Sequence, residues 1–98
     1  MYARMVTATV LPDKLDEAIR LWKESVAPTT RTQKGFISAR FFADRAANKV
    51  RTLGLWETEA DFQASVGWNQ AQIDKFAALF AAPAIVEGYE LITEVSAE

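Results

Sequence analysis

Residues 36–57 read FISARFFADRAANKVRTLGLWE. Two runs rich in aromatic and β-branched residues, 36–43 and 49–57, flank the polar link DRAAN (44–48), and this pattern predicts a β-hairpin. Side chains alternate between the faces of a strand. Alternation puts Phe36 and Phe42 on one side and Ile37 and Phe41 on the other; on the second strand Val50 and Trp56 oppose Leu53 and Leu55. Both faces of the hairpin are therefore apolar. An antiparallel sheet with one solvated face would be polar on that side, so the face left bare by the chain's own helices calls for a partner. A two-fold dimer with sheets packed face to face is the simplest arrangement that supplies one.

Working outward, Tyr2 to Leu11 has strand composition and ends at the turn Pro12-Asp13. Leu15, Ala18, Ile19, Trp22 and Val26 then recur at helical spacing, with charged residues between them. Asp13 is the expected N-cap, and Pro28 is expected to kink this helix or end its regular part. Gly35 closes the segment. Thr58-Glu-Ala-Asp61 reads as a capping-box variant opening a short helix that carries Phe62. In GWNQAQIDKF (67–76), Gly67 is expected to break the helix. Asn69 then acts as N-cap with Gln72 at N3, and Trp68 and Ile73 form a hydrophobic staple. Ile73, Phe76, Ala77 and Phe80 continue at helical spacing up to Pro83, and 85–95 alternates as a fourth strand. The order β-α-β-β-α-α-β is that of an α+β, ferredoxin-like split βαβ fold with a four-stranded antiparallel sheet and its second helix in two pieces.

Composition narrows the chemistry. The 98 residues are expected to form one domain, 1–98. Eleven aromatic residues (six Phe, three Trp, two Tyr) are many for a core this thin, which again favours cover from a second copy. With no cysteine and no histidine, thiolate nucleophiles, His-based triads, His metal sites and a proximal-His haem are unavailable from this chain. The net charge of −2 argues against nucleic acid as partner. It is unevenly spread, with ten Lys/Arg against five Asp/Glu over 1–51 and only Lys75 against eight acids over 52–98. Either the basic half holds an anion pocket (Arg31, Arg40, Arg45 or Arg51), or it pairs with Glu87, Glu90 and Glu94. No apolar run is long enough for a membrane span, and MYARMVTATV lacks the pattern of a signal peptide. A cytoplasmic location is expected.

The helix-forming VLPDKLDEAIRLW, the QKGF lead into strand two, the DRAANK turn, the LWETEADFQAS strand-to-helix passage and EGYEL on the last strand together resemble the antibiotic-biosynthesis-monooxygenase-like domains of the dimeric α+β barrel superfamily. The resemblance covers nearly the whole chain and implies a homodimer. It further implies a cofactor-independent oxygenase acting on a small aromatic or polyphenolic substrate. Once deprotonated, such a substrate supplies its own electrons to oxygen, so the protein need provide only a pocket, a proton acceptor and hydrogen-bond donors. The haem-degrading branch carries an Asn on the first strand, a Trp one turn beyond the Phe of helix two, and an iron-ligating His. The first two positions fall near Val6 and Ser65 here, and no His exists, so haem degradation is disfavoured. The alternative is a non-catalytic dimeric module holding a small apolar metabolite in the same cleft.

No catalytic residue and no metal ligand is assigned from sequence, and no cofactor is expected. The candidates for lining a pocket are Trp22 and Trp68 as apolar walls, with Asn69, Arg40 and Tyr2 as polar partners. Each has a structural role to set against this. Trp22 lies on the apolar stripe of the first helix, and Trp68 and Asn69 fit a helix junction. Arg40 sits mid-strand, where its charge needs a carboxylate, solvent or an anionic ligand. Trp56 fits strand-end packing. Glu90 and Glu94 share a strand face, which suits a solvated rim.

Overall fold

The computed structural model describes residues 1–97. Its hairpin consists of β2 (Phe36–Asp44) and β3 (Lys49–Trp56), turned by a link in which Asn48 takes a left-handed φ of 53° and the Ala47 N–H donates to Asp44 Oδ1 at 3.2 Å. β1 (Tyr2–Thr9) pairs antiparallel with β3 on one side and with β4 (Ile85–Glu90) on the other. The sheet order is β2-β3-β1-β4, the split βαβ topology read from the sequence. Between β1 and β2 the chain is helical over 15–30: α1 (Leu15–Leu21), a π-helical turn (Trp22–Val26) and α2 (Ala27–Thr30). α3 (Glu59–Ala64) and α4 (Val66–Asp74) follow β3. All of these helices pack on the same sheet face.

Register sets which side chains meet them. Tyr2, Arg4, Val6 and Ala8 stand opposite Trp56, Gly54, Thr52 and Val50 on the helix-covered face, while Ala3 and Met5 share the open face with Leu55 and Leu53. On β2 the expected alternation fails at one point. A β-bulge between Phe36 and Ser38 shifts the register, so Phe36 shares the covered face with Phe41, and Phe42 turns to the open side, 48% exposed. An extra residue in one strand inverts every later side chain.

The helical parts differ from expectation at their ends. The break in the second helical pair is at Ser65, which closes α3 by donating its N–H to Asp61 O and opens α4 at φ −90°, ψ 0°. Asn69 is thus inside α4, its N–H bonded to Ser65 O at 2.9 Å, and Gly67 lies in the first turn rather than at a break. A single residue off helical geometry suffices for the bend, so the capping arrangement centred on Asn69 does not form. α4 ends at Asp74. Phe76 and Phe80 follow in tighter turns and stack on each other at 5.2 Å. Asp13 adopts a positive φ of 66° and the N-cap position of α1 passes to Lys14, without a side-chain cap. Thr58 caps α3 as read, its Oγ1 accepting from Asp61 N–H at 3.0 Å. β4 stops at Glu90, and Ile92 and Val95 beyond it are 80% and 90% exposed.

The π turn has a local cause. Pro28 has no N–H to donate to the carbonyl four residues back, and just before it the Ala27 N–H reaches Trp22 O, five residues back. The wider register carries the chain up to the proline. One core cluster forms beneath this helix from Ala8, Val10, Leu15, Ala18, Val26, Val50, Phe76 and Leu79. An aromatic cluster (Tyr2, Phe36, Trp56, Phe62, Trp68) fills the opposite end of the same face.

Candidate functional site

The two clusters do not quite meet. Between them, under the π turn and α4, lies an apolar cavity of about 60 Å³. Its sheet-side wall includes Val6, Ala8, Thr52 and Gly54; Ala8 and Ala39 contribute only small side chains, and Gly54 makes room for the Trp56 ring, which a Cβ at that position would strike. Trp22 closes one side by stacking on Phe41, centroids 4.9 Å apart and planes at 18°. Trp68 meets Trp56 edge-on at 6.1 Å. Its indole N–H donates to Thr29 Oγ1 at 3.1 Å, and that hydroxyl donates to Val26 O at 2.7 Å. This chain of hydrogen bonds ties α4 to the end of the π turn.

Among the described residues, Arg4 is the one titratable residue in the cavity wall. It is 2% exposed, a degree of burial that charged residues reach only when they are partnered. One Nη donates to Ser65 Oγ at 3.0 Å and the other to Phe62 O at 2.9 Å. Its guanidinium carbon lies 4.7 Å from the Trp56 ring centre and 4.3 Å from that of Phe62, over their electron-rich faces. Among the described residues no carboxylate pairs with it; the ion pairs are Lys14–Glu17 and Arg45–Asp16, both exposed. Burial pulls its pKa down to about 10, so it is still cationic at neutral pH. The sequence offered no signal for this residue beyond a lone charge at the second inward position of a strand.

Two more wall residues carry buried polar atoms that no described residue satisfies: the Trp56 indole N–H and the Gln72 side-chain oxygen. Asn69 stands one turn before Gln72 and also borders the cavity. Trp68, Asn69 and Gln72 fall on one side of α4 at helical spacing, so one face of that helix carries its polar contributions to the wall.

Of the residues singled out from sequence, Trp22, Trp68 and Asn69 line this cavity together. Tyr2 lies at its aromatic end, packed edge-on against Phe62 at 4.7 Å, and is not part of the wall. Arg40 is on the opposite face. There a wider groove of about 310 Å³ runs between Met5, Leu53 and Leu55 of the open sheet and the segment after β4, with Arg40, Glu90 and Glu94 also on its border. Among the described residues no ion pair links the basic and acidic halves of the chain; Arg51 instead donates to Thr7 Oγ1 at 3.0 Å. Tyr89, beside the groove, donates to Glu87 at 2.7 Å, and this bond together with the Glu87 charge holds its phenol above the ordinary value.

No helix among the described residues is long and apolar enough to cross a membrane, and none of them form a cluster of three or more His, Cys, Asp or Glu fit to hold a metal ion. The family profile described as antibiotic biosynthesis monooxygenase matches residues 1–78. No curated protein matches the sequence. Among solved structures, the chain resembles a monooxygenase from the ActVA-Orf6 gene of Streptomyces coelicolor in complex with nanaomycin D. That match has a TM-score of 0.81 at 17% identity, covering 99% of this chain and 92% of the other. It also resembles NE2512 from Nitrosomonas europaea, a protein of unknown function, with a TM-score of 0.77 at 18% identity over 99% and 94% of the two chains. A mutant of MhuD with two manganese protoporphyrin IX molecules bound per active site gives 0.75 at 16% identity over 98% and 99%. At these identities the likeness establishes the fold alone.

Proposed function

Because the chain belongs to the antibiotic biosynthesis monooxygenase family, we propose that it is a cofactor-independent monooxygenase whose small aromatic or polyphenolic substrate binds as an anion in the cavity beside Arg4. The observation that carries this reading is a buried cation, with no counter-anion among the described residues, in the wall of an apolar cavity. Such a charge is costly unless something negative completes it. A phenolate or enolate does so, and the stabilisation it receives lowers the pKa of the bound substrate. Among the described residues the wall offers no carboxylate, Tyr or Lys as base; ionisation of the substrate is therefore driven by Arg4 and completed by solvent. An activated ring CH₂ that has lost its proton transfers an electron to O₂, and the pair collapses to a peroxide. Loss of water from the peroxide leaves a ring carbonyl (R₂CH₂ + O₂ → R₂C=O + H₂O). All the electrons come from the substrate, so no external reductant enters.

Haem does not fit this wall. The usual axial ligands are His, Cys, Met and Tyr, and none of these residue types lines the cavity. Its volume of about 60 Å³ is also less than half of the ~150 Å³ in which an engineered cavity takes up benzene. Even a single ring enters only if the wall moves. The π turn, bonded less regularly than the α-helix around it, is the part of the wall best suited to yield.

The absence of a base in the wall favours a second reading, a single-domain dimeric module in the cytoplasm that holds such an anion without turning it over. Both readings share the homodimer. The open sheet face carries Met5, Leu53, Leu55 and the exposed Phe42, and the exposed Ile92 and Val95 beyond β4 need cover as well. A second copy packed through the sheet faces supplies it.

The test is oxygen uptake with a panel of anthrones, hydroquinones and flavonols. One O₂ consumed per substrate, without added flavin, metal or reductant, is expected. In Arg4→Met, kcat/KM should fall at least tenfold, because an ion interaction of ~1.5–3 kcal/mol is lost. Tight binding of these compounds without uptake would leave the binding module standing and sink the oxygenase.

A further inference from the structure

The two unsatisfied atoms of the wall are a complementary pair. Trp56 is 2% exposed and can only donate; Gln72 is 8% exposed, and the atom left without a partner is its acceptor oxygen. Burying either group unpaired is costly, and native structures leave few such groups. That both fall in the wall of one cavity points to a ligand that answers both. The two groups stand on different elements, Trp56 at the end of β3 and Gln72 on α4, and they do not bond each other. A ring carrying a polar group at each end answers both.

We propose that Trp56 and Gln72 are the specificity-determining residues of this cavity, selecting a ring that carries an acceptor oxygen at one end and a hydroxyl at the other. The acceptor oxygen receives the Trp56 N–H in the neighbourhood of Arg4, whose guanidinium lies over the same indole. The hydroxyl donates to the Gln72 oxygen at the far end. Much of the remaining wall is apolar, Val6, Ala8, Phe41 and Val50 included, with Thr30, Thr52 and Asn69 as its other polar side chains. A ring substituted at one end only leaves one buried atom unsatisfied and is discriminated against accordingly. The inference rests on the reading that this cavity is the ligand site, and it holds equally for an oxygenase and for a binding module.

Four aromatic probes of nearly equal size separate the two contacts: 4-hydroxyacetophenone (acceptor and donor), acetophenone (acceptor only), 4-ethylphenol (donor at the distal end) and 4-ethyltoluene (neither). Binding to the full chain is followed by titration on ¹⁵N-labelled protein, reading the indole N–H resonances, with Trp56 assigned through Trp56→Phe. The wild-type chain should bind 4-hydroxyacetophenone about three- to tenfold more tightly than either singly substituted probe, and the Trp56 indole N–H should shift downfield with probes bearing a carbonyl. Gln72→Met should erase the preference for the phenol and keep that for the carbonyl; Trp56→Phe should do the reverse. If Trp56→Phe fails to fold, Trp56 is assigned by elimination from Trp22→Phe and Trp68→Phe, and its indole shift in the wild type decides that arm. Equal affinity for all four probes, or no binding of any, overturns the proposal, because internal water then satisfies both groups. Selective binding without oxygen uptake defeats the oxygenase and leaves this inference intact. Oxygen uptake unchanged in Gln72→Met and Trp56→Phe would defeat this inference and leave the oxygenase.

Discussion

Arg4 shows how far one residue can depart from the message of its sequence context. In ARMVTATV it reads as an isolated charge on a strand, yet its neighbours in space are two aromatic faces, a hydroxyl and a carbonyl. Its depressed pKa gives a defined pH behaviour. Burial lowers the pKa to about 10 but leaves the guanidinium charged across the working range, so anion binding should rise through the ligand's own pKa and then stay flat to about pH 9, measured by fluorescence titration. For stability the same charge is a cost. Folding disfavours the charged form, so its cost is fully present at neutral pH and is relieved only as pH rises above about 10; Arg4 therefore adds no slope to stability between pH 6 and 8. Gly67 offers a second check at this scale. It lies within α4 with open space where a Cβ would point. Gly67→Ala should stabilise the fold by about 0.5 kcal/mol in urea denaturation, whereas a helix break at that position would make the same change destabilising.

Elements were legible in the sequence wherever local periodicity was strong, and were misjudged where one residue had to serve two neighbours. The hairpin, the amphipathic helix before it and the Thr58 cap follow from patterns within a few residues. The β2 bulge does not, because the extra residue is tolerated only by pairing against β3. Likewise, nothing local marks Ser65 as the bend between α3 and α4. Its hydroxyl is engaged by Arg4 from another element and by Phe62 O, and that tertiary contact fixes the junction. The hydrogen bonds from Trp68 through Thr29 to Val26 hold α4 against the π turn. Thr29→Val keeps the shape and strands the half-buried indole N–H, so it should cost about 1–2 kcal/mol by chemical denaturation and speed exchange of amide protons in the π turn.

For the molecule as a whole, the sheet has one face filled by its own helices and one that is not. A sheet with this much apolar surface uncovered should associate, and size-exclusion chromatography with light scattering should give twice the 10.9 kDa chain mass. Leu53→Glu places a charge in the middle of the open face, and should yield monomer at micromolar concentration without changing the covered-face cavity directly. A wild-type monomer would remove the dimer from both functional readings. The sequence by itself determined the order of elements, the sheet topology, the apolar character of both faces of the hairpin and the lack of His and Cys side chains, because composition and short-range periodicity carry those. Trp22, Trp68 and Asn69 were also visible as residues able to border a cleft. Only the tertiary structure brought Arg4, Trp56 and Gln72 to one cavity and moved Arg40 to the opposite face. Register and a bulge set which side of the sheet each side chain joins, and both depend on pairing between segments far apart in the chain.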